Sequence, residues 1–263
     1  METVSQDLLD LAKRAANLSR PILRQHYRTG FDVIRKGDES PVTIADRTAE
    51  AAMRQLLDRE TPEFGIIGEE HGVKNGDADY VWVLDPLDGT RAFVIGKPTF
   101  GTLIALAYKG RPILGVIDMP VLDEQWVGAS GHPTTLNGAE AKTRPCGNLA
   151  EAWINTTSPE MFQGKRKPRF ERVRKASAGC NYGGDCHSYG LVASGYLDLS
   201  IEAGMQAYDY MALVPVVEGA GGKVSDWAGE PLNLNSDGST IAAGDARLHA
   251  CLLYTSDAAD EKV

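Results

Sequence analysis

Apolar residues recur along the chain in two rhythms, which change over at polar breaks carrying glycine or proline. Over residues 5–27, Leu8, Leu9, Leu11, Ala12, Ala15, Ala16 and Leu18 keep a helical period. That pattern predicts one helix to Ser19 and a second from Pro21 to Tyr27, since proline suits a first helical position. The polar stretch RKGDESPVT predicts a loop or hairpin tip. From Thr43, the apolar set Ala45, Ala49, Ala52, Met53, Leu56 and Leu57 predicts an amphipathic helix. The rhythm then turns strand-like. FGII runs into the acidic turn GEEHG, YVWVL stops abruptly at Asp85-Pro86, and residues 98–130 read as a three-strand meander. Asn137-Gly138 is a further turn signal.

Beyond the polar TRPCGN connection the pattern restarts. CNYGGDCHSYGLVASGY reads as a glycine turn followed by a helix of small residues, and LDLSIEAG as a strand. YDYMALVPVVEGAGG reads as one helix stopped by paired glycines; KVSDWAGEPLNL and STIAAG read as strand, turn, strand. We therefore expect an α+β half over residues 1–145, an α/β half over 146–253, and a non-native or disordered tail over 254–263, in mixed α and β layers.

Composition narrows the function. The 263 residues are 43% hydrophobic and 24% charged, which suits a globular enzyme. Lys and Arg number 27 against 36 Asp and Glu, a net charge of -9 that argues against a nucleic-acid partner. It leaves a phosphorylated metabolite open, because bound cations reverse the local field. The four cysteines form no CxxC pair, and no apolar run reaches the ~18 residues of a membrane span. The N-terminus lacks a signal-peptide pattern, so we expect a cytoplasmic protein with free thiols and no membrane contact.

The chemistry lies where strands stop. Glu69 and Glu70 follow FGII; Asp85 and Asp88 follow VWVL. Carboxylates gathered at buried strand ends repel one another, and a hard cation with oxygen ligands is the economical remedy. Asp88 also suits a helix cap, Thr90 suits a cap or a phosphate contact beside Gly89, and Asp209 suits the cap of its own helix. None of the five histidines shows metal-ligand spacing, and His71 reads as a hydrogen-bonded surface residue.

Three motifs in order, GEEHG at 68–72, DPLDGT at 85–90 and YDYMALVPVVEGAGG at 208–222, resemble the inositol monophosphatase superfamily of Mg²⁺-dependent phosphatases. WVLDPLDGTRAF, PTFGTLIAL, GVIDMPVLDEQWVG, NYGGDC and GAGGKVSDWAGEPL look closest to its bacterial histidinol-phosphate phosphatases. The resemblance implies a layered αβαβα sandwich, commonly a homodimer. It implies two or three Mg²⁺: Glu69, Asp85 and the Leu87 carbonyl for one ion, and Asp85, Asp88 and Asp209 for a second. It further implies a water activated by Glu69 and Thr90. Asp46 holds metal-bound water or an extra ion, and Lys36 and Thr43 belong to a loop near the phosphate. Gly89, Thr90, Arg91, Gly184, Asp185, Glu202 and Asp209 would meet the substrate. A carboxylate at Asp185 favours an amine-bearing substrate such as L-histidinol phosphate over inositol 1-phosphate. Another sugar or nucleotide phosphate monoesterase of the same superfamily, and a metal-binding regulator without activity, are the further alternatives.

Overall fold

The computed structural model describes residues 3–29 and 41–257. Helices α1 (Gln6–His26) and α2 (Pro41–Glu60) pack as a pair. They cover one face of a sheet whose eight strands run in the order β2-β1-β3-β4-β5-β6-β7-β8. These are β1 (Gly65–Gly68), β2 (Gly72–Lys74), β3 (Tyr80–Asp88), β4 (Gly101–Tyr108), β5 (Arg111–Met119), β6 (Glu124–Ala129), β7 (His132–Leu136) and β8 (Ala139–Glu140). The short helix α3 (Thr90–Val94) follows β3. A second sheet, in the order β10-β9-β11-β13-β12, is built from β9 (Trp153–Thr156), β10 (Gly179–Tyr182), β11 (Leu199–Glu202), β12 (Lys223–Ser225) and β13 (Thr240–Ala243).

Between the sheets lie α5 (His187–Ala193), α6 (Ala207–Tyr210) and α7 (Leu213–Gly219); α4 (Arg166–Ala176) and α8 (Ala246–Asp257) close the far face. The expected αβαβα layering is therefore present. Its cause is visible in β3, where side chains alternate faces. Trp82 and Leu84 join the α1–α2 core, whereas Val81 and Val83 join the middle helices Tyr189, Leu213 and Val216. Both faces of this strand are buried, which explains its unbroken apolar run. Each such buried Leu, Ile or Val is worth about 1.5–3 kcal/mol. The same middle core takes in Val224 and Ala242 of the second sheet, so one apolar mass ties both sheets together.

Several elements depart from the expected pattern. The break at Pro21 is absent, and α1 continues through it. Contacts beyond the proline outweigh its penalty of about 3 kcal/mol: Leu23 is fully buried, and Arg24 Nε donates to the Pro120 carbonyl. Strand β3 does not stop at Asp85-Pro86; it carries on to Asp88 with a bulge between Asp85 and Asp88, which absorbs the missing proline N–H. The helix expected over 208–222 is split into α6 and α7 because Pro215 cannot donate to the carbonyl of Met211. Helix α8 runs to Asp257, into the stretch expected as a non-native or disordered tail, and residues 258–263 of that tail lie outside the described residues. The meander continues beyond three strands, through β7 and β8. Helix α4, rich in Lys and Arg, had no apolar period strong enough to announce it; only Phe170 and Val173 are buried.

Helix α1 is pinned to β5 by a buried ion pair. Arg20 Nε lies 2.8 and 2.9 Å from the two oxygens of Asp118, whose side chain is fully buried and also accepts from Gln125. Replacing Arg20 by Met strands that carboxylate. The variant is expected to lose about 3–5 kcal/mol of stability, read by urea unfolding; a loss below ~1 kcal/mol would show that the pin carries nothing.

Candidate active site

The acids arrive from four elements. Helix α2 brings Asp46, the turn after β1 brings Glu69, the bulged end of β3 brings Asp85 and Asp88, and α6 brings Asp209. Carboxylate oxygens of Asp46, Glu69 and Asp85 lie within 4.8 Å of one another, and so do those of Asp85, Asp88 and Asp209. Asp85 belongs to both groups. Asp46 thus sits with the strand-end acids, closer to their centre than a loop residue would be.

Three of the acids are fixed by backbone donors. Asp85 Oδ1 accepts from Leu87 N at 2.9 Å, Asp88 Oδ2 from Cys186 N at 2.7 Å, and Asp209 Oδ2 from Gln206 N at 2.7 Å. The last bond is half of a capping box, so Asp209 caps α6 from its third position while still facing Asp85 and Asp88. Glu69 is held through its backbone, with its N–H on the Leu84 carbonyl at 3.2 Å. Thr90 Oγ1 donates to the Leu87 carbonyl at 3.2 Å.

Burial, joined by repulsion at Asp46, Glu69, Asp85 and Asp88, raises the pKa of these groups. Burial is the largest cause for all five; Glu69, Glu70 and Glu50 add to it at Asp46, whose pKa rises to about 8. Asp209 rises to about 6, Glu69 also rises, and Asp85 and Asp88 lie well above the usual carboxylate range. One oxygen, Asp46 Oδ1, is buried without a hydrogen-bond partner. An all-carboxylate donor set around an unsatisfied buried oxygen fits a hard divalent cation.

The residues expected on the substrate side are placed as follows. Gly89 adopts a left-handed φ of 83°, and a Cβ there would meet Asp185 Cγ at 3.2 Å. The turn after β3 and the turn before α5 therefore touch. Asp185, itself at φ 45°, has its N–H on Thr157 Oγ1 at 3.2 Å. Burial pushes its carboxyl up to about 6 against the pull of Lys97 and Arg91. Gly184 is packed so tightly that a Cβ would fall 1.9 Å from Ser188 Oγ. Glu202 is 3% exposed, with both oxygens engaged: Oε1 accepts from the Thr157 N–H at 3.0 Å and from its hydroxyl, and Oε2 accepts from Tyr189 OH at 3.2 Å. Arg91 is exposed, Glu70 half-buried, and Thr43 lies in the first turn of α2. Lys36 lies outside the described residues. His71 is exposed, its ring nitrogen 3.0 Å from the Arg47 carbonyl.

Four neighbours escaped the sequence reading. Tyr208 feels Glu69 and Asp209, Lys97 stands beside the Gly183–Asp185 turn, Thr157 links Asp185 to Glu202, and Glu50 lies under the GEEHG turn. Only Glu50 had a signal, its position four residues after Asp46 on one helix face.

Carboxylates gathered this way on a five-layer αβαβα frame are able to hold divalent cations. The chain belongs to the inositol monophosphatase family, whose model matches residues 5–261. It is 48% identical over 243 residues to the bifunctional phosphatase IMPL2, chloroplastic, of Arabidopsis thaliana, covering 89% of this chain and 70% of that one. A histidinol-phosphatase of Chlorobaculum parvum is 32% identical over 89% of this chain and 90% of its own length. Among solved structures, an inositol monophosphatase from Zymomonas mobilis matches with a TM-score of 0.92 and 46% identity, over 97% of this chain and 100% of that one. The chain is accordingly a phosphatase, and among its described residues no helix is long and apolar enough to cross a membrane.

The raised carboxyl pKa values set a pH signature. In the unfolded chain these groups titrate near pH ~4, so the cation-free fold binds more protons than the unfolded chain up to about pH 8. Their contribution to stability is therefore present at low pH and lost as pH rises through the folded values. We expect the melting temperature without cations to fall between pH 5 and 8, and a saturating divalent cation to restore it most at pH 8. A cation effect equal at both pH values would remove the acids from the binding site.

Proposed function

We propose that this chain is a Mg²⁺-dependent phosphatase that hydrolyses L-histidinol phosphate to L-histidinol and phosphate. The observation that carries the substrate is Asp185, a carboxylate packed against Gly89 at the edge of the acid cluster, where a substrate amine can meet it. Relatives named as histidinol-phosphatases support the same direction.

On this reading Glu69, Asp85 and the Leu87 carbonyl hold one Mg²⁺, and Asp85, Asp88 and Asp209 hold another. Asp46 faces Glu69 and Asp85, where it supports the first ion or a third. Bound Mg²⁺ supplies charge stabilisation of the phosphoryl group and lowers the pKa of water. Glu69, the most exposed of the acids, would take the proton of the attacking water. Thr90, whose hydroxyl hydrogen is spent on Leu87 O, presents its oxygen to that water as an acceptor. Gly89, Thr90 and Arg91 receive the phosphate. Gly184 and Asp185 receive the organic part, and Glu202 acts on it from beneath through Thr157. Four cysteines outside any disulfide suit a cytoplasmic enzyme. We further assign it a homodimeric state by family analogy, and divide it into halves at 1–145 and 146–253.

A specific observation favours a second substrate, inositol 1-phosphate. Lys97 and Arg91 already attract Asp185, and a neutral polyol asks for no further cation. The test is phosphate release from both esters, with Mg²⁺ and with EDTA. We expect EDTA-sensitive release and at least about tenfold higher kcat/KM on histidinol phosphate. Asp185→Asn should lower that value by about tenfold or more, as a charge-assisted contact of ~1.5 kcal/mol is lost, and leave inositol phosphate little changed. A preference for inositol phosphate would overturn the amine argument and leave the metal reading standing.

A further inference from the structure

Glu50 is a fully buried carboxylate that the reaction does not touch. It lies one turn after Asp46 on α2, with Arg54 one turn further on. Its Oε2 accepts from the Glu70 N–H at 2.7 Å; its Oε1 accepts from the His71 N–H at 3.1 Å and from Arg54 Nε at 2.6 Å. Arg54 reaches on to the Gly72 carbonyl, and the His71 ring to the Arg47 carbonyl. The whole GEEHG turn is thus fastened to the helix that supplies Asp46. Gly68 belongs to the fit, for a Cβ there would fall 2.1 Å from Glu50 Oε1 and 2.8 Å from Arg54 Nη2.

We infer that Glu50 is a positioning residue that sets the backbone of the Glu69–Glu70 turn against Asp46 and so fixes the distance between two ligands of one cation. The inference rests on the metal reading of Glu69 given above. Three donors converge on two oxygens, so the site requires a group that only accepts. Glutamine would turn an amide N–H toward a backbone N–H, and aspartate is one methylene short. The choice of a charge is costly, because Glu50 stands among the groups that oppose ionisation of Asp46 and Glu69. A neutral staple would serve a cation-free fold better. The carboxylate makes sense where a cation is to be held and the ligand carrying it must not swing.

The experiment compares wild type, Glu50→Gln and Glu69→Gln by calorimetric Mg²⁺ titration and by amide hydrogen exchange without Mg²⁺. In Glu50→Gln we expect the half-saturating Mg²⁺ concentration to rise about tenfold or more, in the range found for outer partners of metal ligands. The Glu70 and His71 amides should exchange faster, and turnover at saturating Mg²⁺ should stay within a few-fold of wild type. A lower melting temperature with unchanged half-saturation would reduce Glu50 to a structural role and overturn the inference. Should the variant fail to fold, the wild-type amides decide: protection of Glu70 and His71 above that of open turns upholds it, and free exchange overturns it. If Glu69→Gln also leaves half-saturation unchanged, the metal reading itself fails; if only Glu50→Gln does, the positioning role fails alone.

Discussion

Mutual repulsion among buried carboxylates is the constraint around which this molecule is arranged. Asp46, Glu69, Asp85, Asp88 and Asp209 form two overlapping triads with oxygens no more than 4.8 Å apart. At that separation, and at an effective dielectric near ~20, each ionised pair costs roughly 3 kcal/mol. A fold of ordinary stability, about 5–15 kcal/mol, cannot carry several such terms unaided. It either binds protons, as the raised pKa values describe, or binds a cation. Everything that holds the acids in place works against their tendency to part.

The layering supplies that restraint. Strand β3 lies between β1 and β4 and has apolar residues on both faces, so its end cannot retreat. The bulge after Asp85 lets one strand end deliver two acids while Leu87 stays buried between α2, α3 and Phe100. Asp209 comes from the middle helical layer, pinned by its own capping box, and Asp46 from the outer one. Four elements from three layers must be in register for the acids to meet. That is why the apolar core spanning both sheets bears on chemistry as well as stability.

Much of this was legible in the sequence, and the exceptions share a cause. Glu69, Asp85 and Asp88 announce themselves because an apolar run ending in acid is a local pattern. The five-layer fold followed from resemblance over nearly the whole chain. Pro21 misled because local propensity says nothing of Leu23 and Arg24 on the far side of the break. The single helix expected over 208–222 failed at Pro215, a local rule that the apolar period masked. Glu202 was expected to meet the substrate, yet its two oxygens are taken up by Thr157 and Tyr189, two partners 45 and 13 residues away. Long-range partners decide such residues, and no short window contains them.

The two sides of the site differ in how they are built, which bears on how relatives of one family come to carry different substrate names. The acid side is tied at many points: Asp85, Asp88 and Asp209 each accept from a backbone N–H, and Glu50 adds a tie to the Glu69 turn. The opposite side hangs on a short chain, Glu202 to Thr157 to Asp185, in a turn at left-handed φ with exposed Lys97 nearby. A substitution at Lys97 shifts charge at the rim, away from the hydrogen bonds that fix the acids, whereas Asp185 itself also raises Asp88. Cation chemistry can therefore persist while the organic half of the substrate changes. On the proposed function, the charge offered to the organic part is the sum of Asp185, Lys97 and Arg91 rather than that of any one of them, and reading Asp185 alone gives only half of that balance.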